Sequence, residues 1–572
     1  MKARPLFLLI LALFCYYQVG LTLFKGAIGE LDSLIIYSMK SYLLRTWALW
    51  VRGLILALLS VSLVALFTQY AHAQVRFART YGGTNIDYAW SVQQTSDGGY
   101  IVAGYTNSFG AGGGDIFLIK TDAFGNVQWA KTYGGTGADS VYSVQQTSDG
   151  GYIVAGFTSS FGAGGGDIFL IKTDANGNIQ WAKTYGGTGW DDAYSVQQTS
   201  DGGYIVAGFT SSFGAGYYDI FLVKIDANGN VIWAKTYGGI YSDYAHSVQQ
   251  TSDGGYIVAG YTGSFGAGFS DIFLVKTDAN GNISWAKTYG GTNQDWVYSV
   301  QQTSDGGYIV TGRTLSFGPG DIFLIKTNAS GNIQWAKTYG GPTYKVARFV
   351  KQTSEGGYIV AGTIQITVFT YDIFLIKTDA NGNIIWAKTY GGAWNEGGGS
   401  VRQTSDGGYI LAGFTSSFGA GGGDIFLIKT DANGDLGSCG IVQNLTLTVT
   451  TPLLTVTIPS PSVHSVSPTV TSPSPTVTSP TLPVYSPCPL SDDNELGISE
   501  SCKPVSGLIT PYKGGIKVSG SGEFEVKVYN ISGVMVKSVK GKNEVKLDLS
   551  RGVYFVEVVS GGKVLRERVI IR

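Results

Sequence analysis

A phrase of twelve residues, repeated seven times, constrains the fold of this chain more than any other feature. QQTSDGGYIVAG stands at Gln93–Gly104. Three further copies are identical and three are edited, beginning at Gln145, Gln197, Gln249, Gln301, Lys351 and Arg402. The tryptophan of a second motif, WAKTYGG, recurs at intervals of 52, 52, 52, 50 and 51 residues. A fixed period of about 50 residues indicates a propeller or a solenoid.

Each unit contains four short strand patterns, which in the second unit are Val141–Thr147, Tyr152–Thr158, Asp167–Thr173 and Ile179–Tyr185. The turn SDGG joins the first two strands, and its glycines supply backbone angles with positive φ. DANGN joins the last two, and its Asn-Gly pair is favoured in two-residue hairpins. Four short strands joined by tight turns form one propeller blade.

The two ends of the repeat region complement each other. The seventh unit ends after its third strand, Asp424–Thr430, and lacks WAKTYGG. The missing strand stands before the first unit as VRFARTYGG, Val75–Gly83, with Phe77 in the tryptophan position. We therefore predict an all-β fold, a seven-bladed β-propeller closed by an N-terminal strand over residues 74–438, plus a small C-terminal β-sandwich. Closure also removes an exposed sheet edge.

Charge is distributed unevenly along the chain. Charged residues are 14% of the sequence, against roughly 25% in an average globular protein. The net charge of −1 conceals a balance of +4 in residues 1–73, +6 in residues 506–572 and −11 between them. Since no basic stripe lies in the repeats, we expect no nucleic-acid partner.

The N-terminal region carries two apolar segments. Residues 39–73 read as a signal peptide, with a basic start, an apolar stretch and an A-x-A cleavage site at Ala71–Ala73. In this interpretation Met39 is the true start and residues 1–38 are an upstream extension. The alternative is that Pro5–Phe24 is a membrane span. Both interpretations predict export.

A segment rich in Ser, Thr and Pro, residues 439–505, follows the repeats. Its prolines favour an extended stalk, open to O-glycosylation, between the propeller and a C-terminal module at residues 506–572. Cys488 and Cys502 flank a 13-residue loop and form a candidate disulfide. Cys439 would then be unpaired.

Catalytic chemistry has few candidates in this sequence. The three histidines, His72, His246 and His464, do not assemble with Ser, Cys or Asp into a nucleophilic set. DANGN lacks the sixth-position Gly and twelfth-position Glu of an EF-hand loop. An aspartate precedes every IFL motif and is expected to cap a backbone N–H; the alternative is a ring of carboxylates. We therefore expect no enzyme activity, no metal and no cofactor.

Variation among the copies concentrates in two loops of each blade, which an up-and-down blade places on one face. Aromatic residues crowd these loops: Trp190, Tyr217, Tyr218, Tyr241, Phe269, Trp296, Tyr344 and Trp394. Aromatics on varied loops over a rigid scaffold suit recognition of sugars or protein surfaces. The alternative is neutral loop drift, with the rings partly packed inward.

Two further patterns resemble known families. The C-terminal runs VYNISGVMV and LDLSRGVYFVEVVSGGKVLRERVIIR resemble the type A sorting domain of the type IX secretion system. That resemblance implies outer-membrane passage and contact with the secretion machinery, followed by removal or surface anchoring of the domain. The family's early Pro-Asn-Pro is replaced here by ITPYKGG, Ile509–Gly515. The repeats are similar to uncharacterised DGGYIVAG-type propeller repeats of secreted microbial proteins, and they resemble quinoprotein-type repeats in architecture.

Together these features predict a secreted or cell-surface binding or adhesion protein that is not an enzyme. Its partners would be a glycan or a surface protein, and the membrane would be reached only through the N-terminal segments or surface anchoring. One alternative is an exported hydrolase or lyase that uses carboxylates. The other is a structural surface or matrix protein.

Overall fold

The computed structural model describes residues 74–437, 439–465, 469–471, 476–478, 482–488, 509–512, 515–530, 535–550, 552–560 and 563–571. Every regular element in these residues is a β-strand. No helix in this part of the chain is long and apolar enough to cross a bilayer. The predicted signal peptide, upstream extension and membrane span lie outside the described residues.

Seven antiparallel blades surround a central channel, and we number the strands of each blade from the channel outward. The first strands are Asp87–Gln94, Asp139–Gln146, Asp191–Gln198, Asp243–Gln250, Asp295–Gln302, Lys345–Gln352 and Glu396–Gln403. The second strands are Tyr100–Thr106, Tyr152–Thr158, Tyr204–Thr210, Tyr256–Thr262, Tyr308–Thr314, Tyr358–Gln365 and Tyr409–Thr415. The third strands are Asp115–Thr121, Asp167–Thr173, Asp219–Ile225, Asp271–Thr277, Asp321–Thr327, Tyr371–Thr378 and Asp424–Thr430. The fourth strands of blades one to six are Val127–Gly134, Ile179–Gly186, Val231–Gly238, Ile283–Gly290, Ile333–Gly340 and Ile384–Tyr390.

The ring closes as the sequence predicts. The fourth strand of blade seven is Phe77–Tyr81, which pairs antiparallel with Asp424–Thr430. Phe77 also takes the place of the missing tryptophan, because its ring lies 6.1 Å from that of Tyr100 in an edge-on contact. The predicted seven-bladed propeller with an N-terminal closing strand is confirmed.

Aromatic side chains fill the wedge between neighbouring blades. The Trp129 ring of blade one meets the Tyr152 ring of blade two edge-on at 5.9 Å. Tyr133 is fully buried beside it and donates its hydroxyl to the carbonyl oxygen of Gly177, in the next blade, at 2.6 Å. Large rings with one polar atom suit such a wedge, because they bury much apolar area and still satisfy the hydroxyl.

The DANGN turn differs from the expected two-residue hairpin. Asp174 N donates to Asn178 O at 2.9 Å, and Gly177 N donates to Asp174 O at 3.1 Å, so the loop has three residues. Gly177 adopts a φ of +73°, and the strand register shifts just before the turn. A type I turn followed by a glycine in the left-handed region produces this arrangement, so the two-residue prediction is wrong at this point.

The segment interpreted as a stalk instead adds a fifth strand to every blade, and we call residues 442–488 the girdle. From blade six backwards to blade one, and finally on blade seven, its strands are Val442–Asn444, Thr448–Thr450, Thr455–Thr457, Ser462–Ser465, Thr469–Thr471, Thr476–Thr478 and Val484–Cys488. Each pairs antiparallel with a fourth strand; Val449, for example, lies opposite Tyr339. The girdle therefore covers the outer edge that each four-stranded blade would expose.

The girdle has a sequence period that suits this path. Five successive strands begin seven residues apart, at Thr448, Thr455, Ser462, Thr469 and Thr476. Seven extended residues span at most about 23 Å at about 3.3 Å each, which sets the reach available from one strand of the girdle to the next. Pro452, Pro459 and Pro461 stand between described strands of the girdle and have no backbone N–H group to satisfy.

Cys439 is disulfide-bonded, so the expectation that it is unpaired is wrong. It contacts a buried cluster that includes Ala78, and Ala78 lies opposite Cys488 in blade seven. Cys502 lies outside the described residues, and the pair Cys488–Cys502 stays a prediction.

The C-terminal module has strands Ile509–Tyr512, Gly515–Asn530, Met535–Asp548, Gly552–Ser560 and Lys563–Ile571. Hydrogen bonds join all five in one antiparallel sheet, with a register shift in the long second strand between Ser519 and Glu523. Alternate residues of this sheet, among them Val526 and Val528, form a buried apolar cluster. The expected two-sheet sandwich stays a prediction.

Candidate functional site

The varied loops share one face of the propeller, which we call the aromatic face. The loop between the second and third strands of a blade bonds to the loop that enters the next blade, as in the bond from Asp139 N to Gly114 O at 2.9 Å. The SDGG and DANGN turns lie at the opposite strand ends, on what we call the turn face. The chain thus separates its variable and its invariant loops between two faces.

Four of the eight predicted aromatic side chains are exposed on the aromatic face. Trp190 is 40%, Tyr217 74%, Tyr241 55% and Phe269 78% exposed. All four belong to loops that enter or lie within blades three and four. The other four are half-buried: Tyr218, Trp296, Tyr344 and Trp394.

The exposed residues form one sector because their loops touch. A Cβ atom at Gly216, next to Tyr217, would lie 2.7 Å from the carbonyl oxygen of Tyr241. A Cβ atom at Gly263, which opens the loop of Phe269, would lie 3.6 Å from the Cβ of Tyr241. The exposed rings of blades three and four therefore stand on adjoining backbone.

Two of the predicted aromatics pack on inner rings of blades two to four. Tyr218 lies 5.1 Å from Phe209 and 5.4 Å from Tyr244, measured between ring centroids. Trp190 similarly rests 5.5 Å from Phe157. The inward packing proposed as the alternative thus applies to part of the set, and the outer rings stay open to solvent.

An arginine that sequence reasoning missed joins two of the predicted residues. The guanidinium carbon of Arg313 lies 4.1 Å from the ring centroid of Tyr344 and 5.2 Å from that of Trp296. Its Nη1 donates to the Tyr344 hydroxyl at 3.2 Å. Arg313 replaces the Tyr or Phe that five other blades carry at this position, and that departure was the available signal.

A ring of side chains fills the channel below the aromatic face. One residue comes from the fourth position of each of six first strands: Trp90, Tyr142, Tyr194, His246, Tyr298 and Arg348. The His246 ring stacks on Tyr194 at 4.6 Å. Burial lowers the pKa of His246 to about 3, with the positive charge of Arg348 as a second cause. The histidine is therefore a neutral member of an aromatic ring at physiological pH.

The turn face is held by repeated polar contacts. In blade one Asp97 accepts hydrogen bonds from Gly99 N at 3.0 Å and from the buried ammonium of Lys120 at 2.8 Å. The bonds from Lys120 and the turn residues more than offset partial burial and lower the pKa of Asp97. Ion pairs of the same kind occur in all seven blades, with Glu355 replacing the aspartate in blade six. The contact recurs in every blade because each copy places a lysine ammonium at this point, where it needs a carboxylate partner.

Six of the seven blade junctions also bury two carboxyl groups. Asp115, before the IFL motif, accepts a hydrogen bond from Ala111 N at 2.8 Å, the expected cap. A Cβ atom at Gly134 would lie 1.9 Å from Asp115 Oδ1 and 2.7 Å from Asp139 Oδ2, so only glycine fits between the two carboxylates. Desolvation raises the pKa of Asp115, with Asp139 adding a smaller contribution.

Two junctions depart from this pair of aspartates. Lys345 replaces the second aspartate in blade six and lies 3.4 Å from Asp321. Glu396 replaces it in blade seven, where desolvation raises the pKa of that carboxyl to about 8. All these groups are almost fully buried, which argues against their use as a surface acid–base pair. In the described part of the chain, no three His, Cys, Asp or Glu side chains cluster as metal ligands do.

A shallow depression of about 490 Å³ lies where the ring closes, lined by Thr84, Asn85, Ile86, Asn107, Gly112, Gly113 and Gly422. None of the eight predicted aromatics lines it.

Comparison with known proteins identifies the C-terminal module. Residues 510–572 match the family described as the secretion system C-terminal sorting domain. The chain therefore carries a type IX sorting module, which implies export to the cell surface or the medium and interaction with the secretion machinery.

The repeats have more distant relatives. Over 205 residues the chain is 28% identical to the regulatory protein FlaEY of Caulobacter vibrioides, covering 31% of this chain and 21% of FlaEY. The match thus spans about a fifth of that relative's length. Sqt1 from Chaetomium thermophilum aligns with a TM-score of 0.36 and 10% identity over 63% of this chain and 98% of Sqt1. Sqt1 bound to the N-terminus of the ribosomal protein L10 aligns with a TM-score of 0.33 and 13% identity, over 62% and 98% of the two chains.

Proposed function

We propose that this exported propeller is a binding protein without enzymatic activity, and that the exposed sector over blades three and four recognises a glycan or a protein surface. The observation that carries the proposal is the exposure of Trp190, Tyr217, Tyr241 and Phe269 on adjoining loops. The loops of that sector differ from blade to blade, whereas the scaffold below them repeats.

The energetics favour a ligand for this sector. An aromatic side chain buries about 150–250 Å² when covered. Covering the exposed half of one ring therefore contributes about 2 kcal/mol at about 25 cal/mol per Å². Three or four such rings on one rigid surface can together hold a ligand with micromolar affinity, after the cost of association is subtracted.

The test uses the full chain and a triple variant, Tyr217→Ala with Tyr241→Ala and Phe269→Ala. Binding to a glycan array and to envelope polysaccharide is measured together with the melting temperature. We expect at least a tenfold loss of affinity, about 1.4 kcal/mol or more, at an unchanged melting temperature. Unchanged binding by the triple variant would overturn the proposal.

Phe124→Ala is the matched control. Phe124 is 51% exposed in a turn on the opposite face. Its removal deletes an exposed ring, comparable in exposure to Tyr241, without touching the sector, so binding should persist. Release of shortened saccharide from the array by the wild-type chain would favour the hydrolase or lyase alternative instead.

A further inference from the structure

The first strands of most blades satisfy their channel-side N–H groups with side chains from the preceding blade. Gln93 Oε1 accepts the hydrogen bond of Gln146 N, in blade two, at 2.7 Å. The same bond, at 2.6 to 2.7 Å, links the next four junctions through Gln145, Gln197, Gln249 and Gln301. An inner strand is an open sheet edge, so these glutamines provide acceptors that the sheet cannot provide.

Two junctions lack this acceptor. Lys351 replaces the glutamine in blade six, and Arg402 replaces it in blade seven. Neither a lysine ammonium nor a guanidinium can accept a hydrogen bond. The backbone N–H groups of Gln403 and Gln94 occupy the positions that meet a glutamine oxygen elsewhere, and the replacing side chain offers them no acceptor.

The two cations are close together and have no acidic partner in the described part of the chain. Both flank Phe349: the Arg402 guanidinium carbon lies 4.0 Å and the Lys351 nitrogen 5.9 Å from its ring centroid. Arg402 Nη1 donates to Val401 O at 3.0 Å. Burial lowers the pKa of Lys351 to about 7, with the charge of Arg402 as a second cause, and burial lowers the pKa of Arg402 to about 10.

Other lysines of the propeller are paired with carboxylates. Lys120, Lys172 and Lys224 are each buried, and each lies within 3 Å of an aspartate oxygen. Lys351 and Arg402 are half-buried and have no carboxylate partner in the described part of the chain, so an acceptor from outside the chain would stabilise the pair.

We infer that the channel mouth on the turn face binds an oxyanion, held by Lys351, Arg402 and the backbone N–H groups of Gln403 and Gln94. The group is a sulfate, phosphate or carboxylate, either as a free ion or as the charged group of a polymer. Its oxygens would replace the glutamine acceptors at both altered junctions and pair with both cations. The site lies at the opposite end of the channel from the aromatic sector, so it is independent of the proposed function.

The test restores the repeated residue. Lys351→Gln with Arg402→Gln puts glutamine at the position where five blades already have it, so the variant should fold and keep or raise the melting temperature. Calorimetric titration of the full chain with sodium sulfate at constant ionic strength should show binding that the double variant loses by about tenfold or more. Lys183→Gln, on an outer strand, is the control for one lost charge and should bind as the wild type does.

A second arm identifies the source of the anion. A sulfated tetrasaccharide that binds tighter than sulfate, with the same sensitivity to the double variant, assigns the site to a polymer group. Equal or weaker binding assigns it to the free ion. The inference is overturned if sulfate, phosphate and acetate all fail to bind the wild type, or if the double variant binds them equally well.

Discussion

The turn face and the aromatic face of this propeller are built from the same seven copies, yet they differ in almost every respect. On the turn face, a contact such as that between Lys224 and Asp201, at 2.9 Å, recurs in blade after blade. On the aromatic face, Tyr217 and Phe269 belong to loops of unlike sequence. Invariance among the copies therefore marks a shared folding requirement, and variation marks surface that is free to acquire a ligand.

The largest loss of stability is expected from a substitution at the repeated glycine of the second strand, where there is no space for a side chain. A Cβ atom at Gly208 would lie 1.8 Å from the carbonyl oxygen of Asp192. Gly208→Ala should lower the free energy of unfolding by about 3 kcal/mol or more, because backbone must move to admit the methyl group. Chemical denaturation measures this loss.

Gly202 provides the control for Gly208. It has a φ of +83° and open space around its Cβ position. Gly202→Ala should therefore cost only about 1 kcal/mol, the penalty of the left-handed conformation. Equal losses at the two glycines would mean that close packing of the second strand does not explain its repeated glycine.

The next largest change in stability is expected at Glu396, and its size depends on pH. The folded-state pKa of about 8 exceeds the ordinary value of 4.5, so the folded chain holds a proton that the unfolded chain releases between these values. The contribution of Glu396 to stability is present at acidic pH and lost as the pH rises towards 8. Glu396→Gln cannot ionise, so at pH 9 it should be more stable than the wild type by about 2 to 4 kcal/mol.

Unfolding measured from pH 5 to pH 9 checks this expectation. The difference between Glu396→Gln and the wild type should grow with pH and nearly vanish at pH 5. Asp424, whose pKa burial raises to about 7, should give a smaller difference of the same sign as Asp424→Asn. A difference in the free energy of unfolding that shrinks as the pH rises would contradict the raised pKa of these buried carboxyl groups.

A smaller loss is expected from the inter-blade glutamines. Gln197 Oε1 accepts the hydrogen bond of Gln250 N at 2.6 Å. Gln197→Ala should cost about 1 to 2 kcal/mol, because a half-buried N–H group loses its acceptor. Gln294→Ala, in a varied loop, should lie within about 0.5 kcal/mol of the wild type. Equal losses for the two variants would mean that the hydrogen bond between blades does not explain the loss at Gln197.

The smallest effect on stability is expected on the aromatic face. Phe269 is 78% exposed, so Phe269→Ala should change the free energy of unfolding by less than about 0.5 kcal/mol. A loss above 1.5 kcal/mol in chemical denaturation would mean that the ring is part of the fold and not of a recognition surface.

Blade strands and ring closure were predictable because their signals are local and repeated. Alternation, glycine turns and the displaced VRFARTYGG strand define them without knowledge of distant contacts. The girdle was missed because Thr-Val-Thr triplets are too short to read as strands and their prolines suggest an extended linker. The available signal was the seven-residue spacing of those triplets. That spacing can be interpreted as a series of paired strands only when the outer edges of the seven blades are known.

The candidate sites were predictable only in part. The exposed aromatics followed from variation among the copies, but their grouping over blades three and four depends on contacts between loops. Arg313, Lys351 and Arg402 interact with residues about 30 to 50 positions away, which ring closure and blade packing bring together. Their departure from the repeated residue was visible in the sequence, whereas their loss of acidic or acceptor partners was visible only in the fold.

The central claim is that recognition belongs to the aromatic face, and hydrogen–deuterium exchange of the full chain tests it most directly. Exchange is compared with and without envelope polysaccharide from the producing cells. The account predicts protection in the loops that contain Trp190, Tyr217, Tyr241 and Phe269, with the SDGG and DANGN turns unchanged. Protection confined to those turns, or to the girdle, would contradict it.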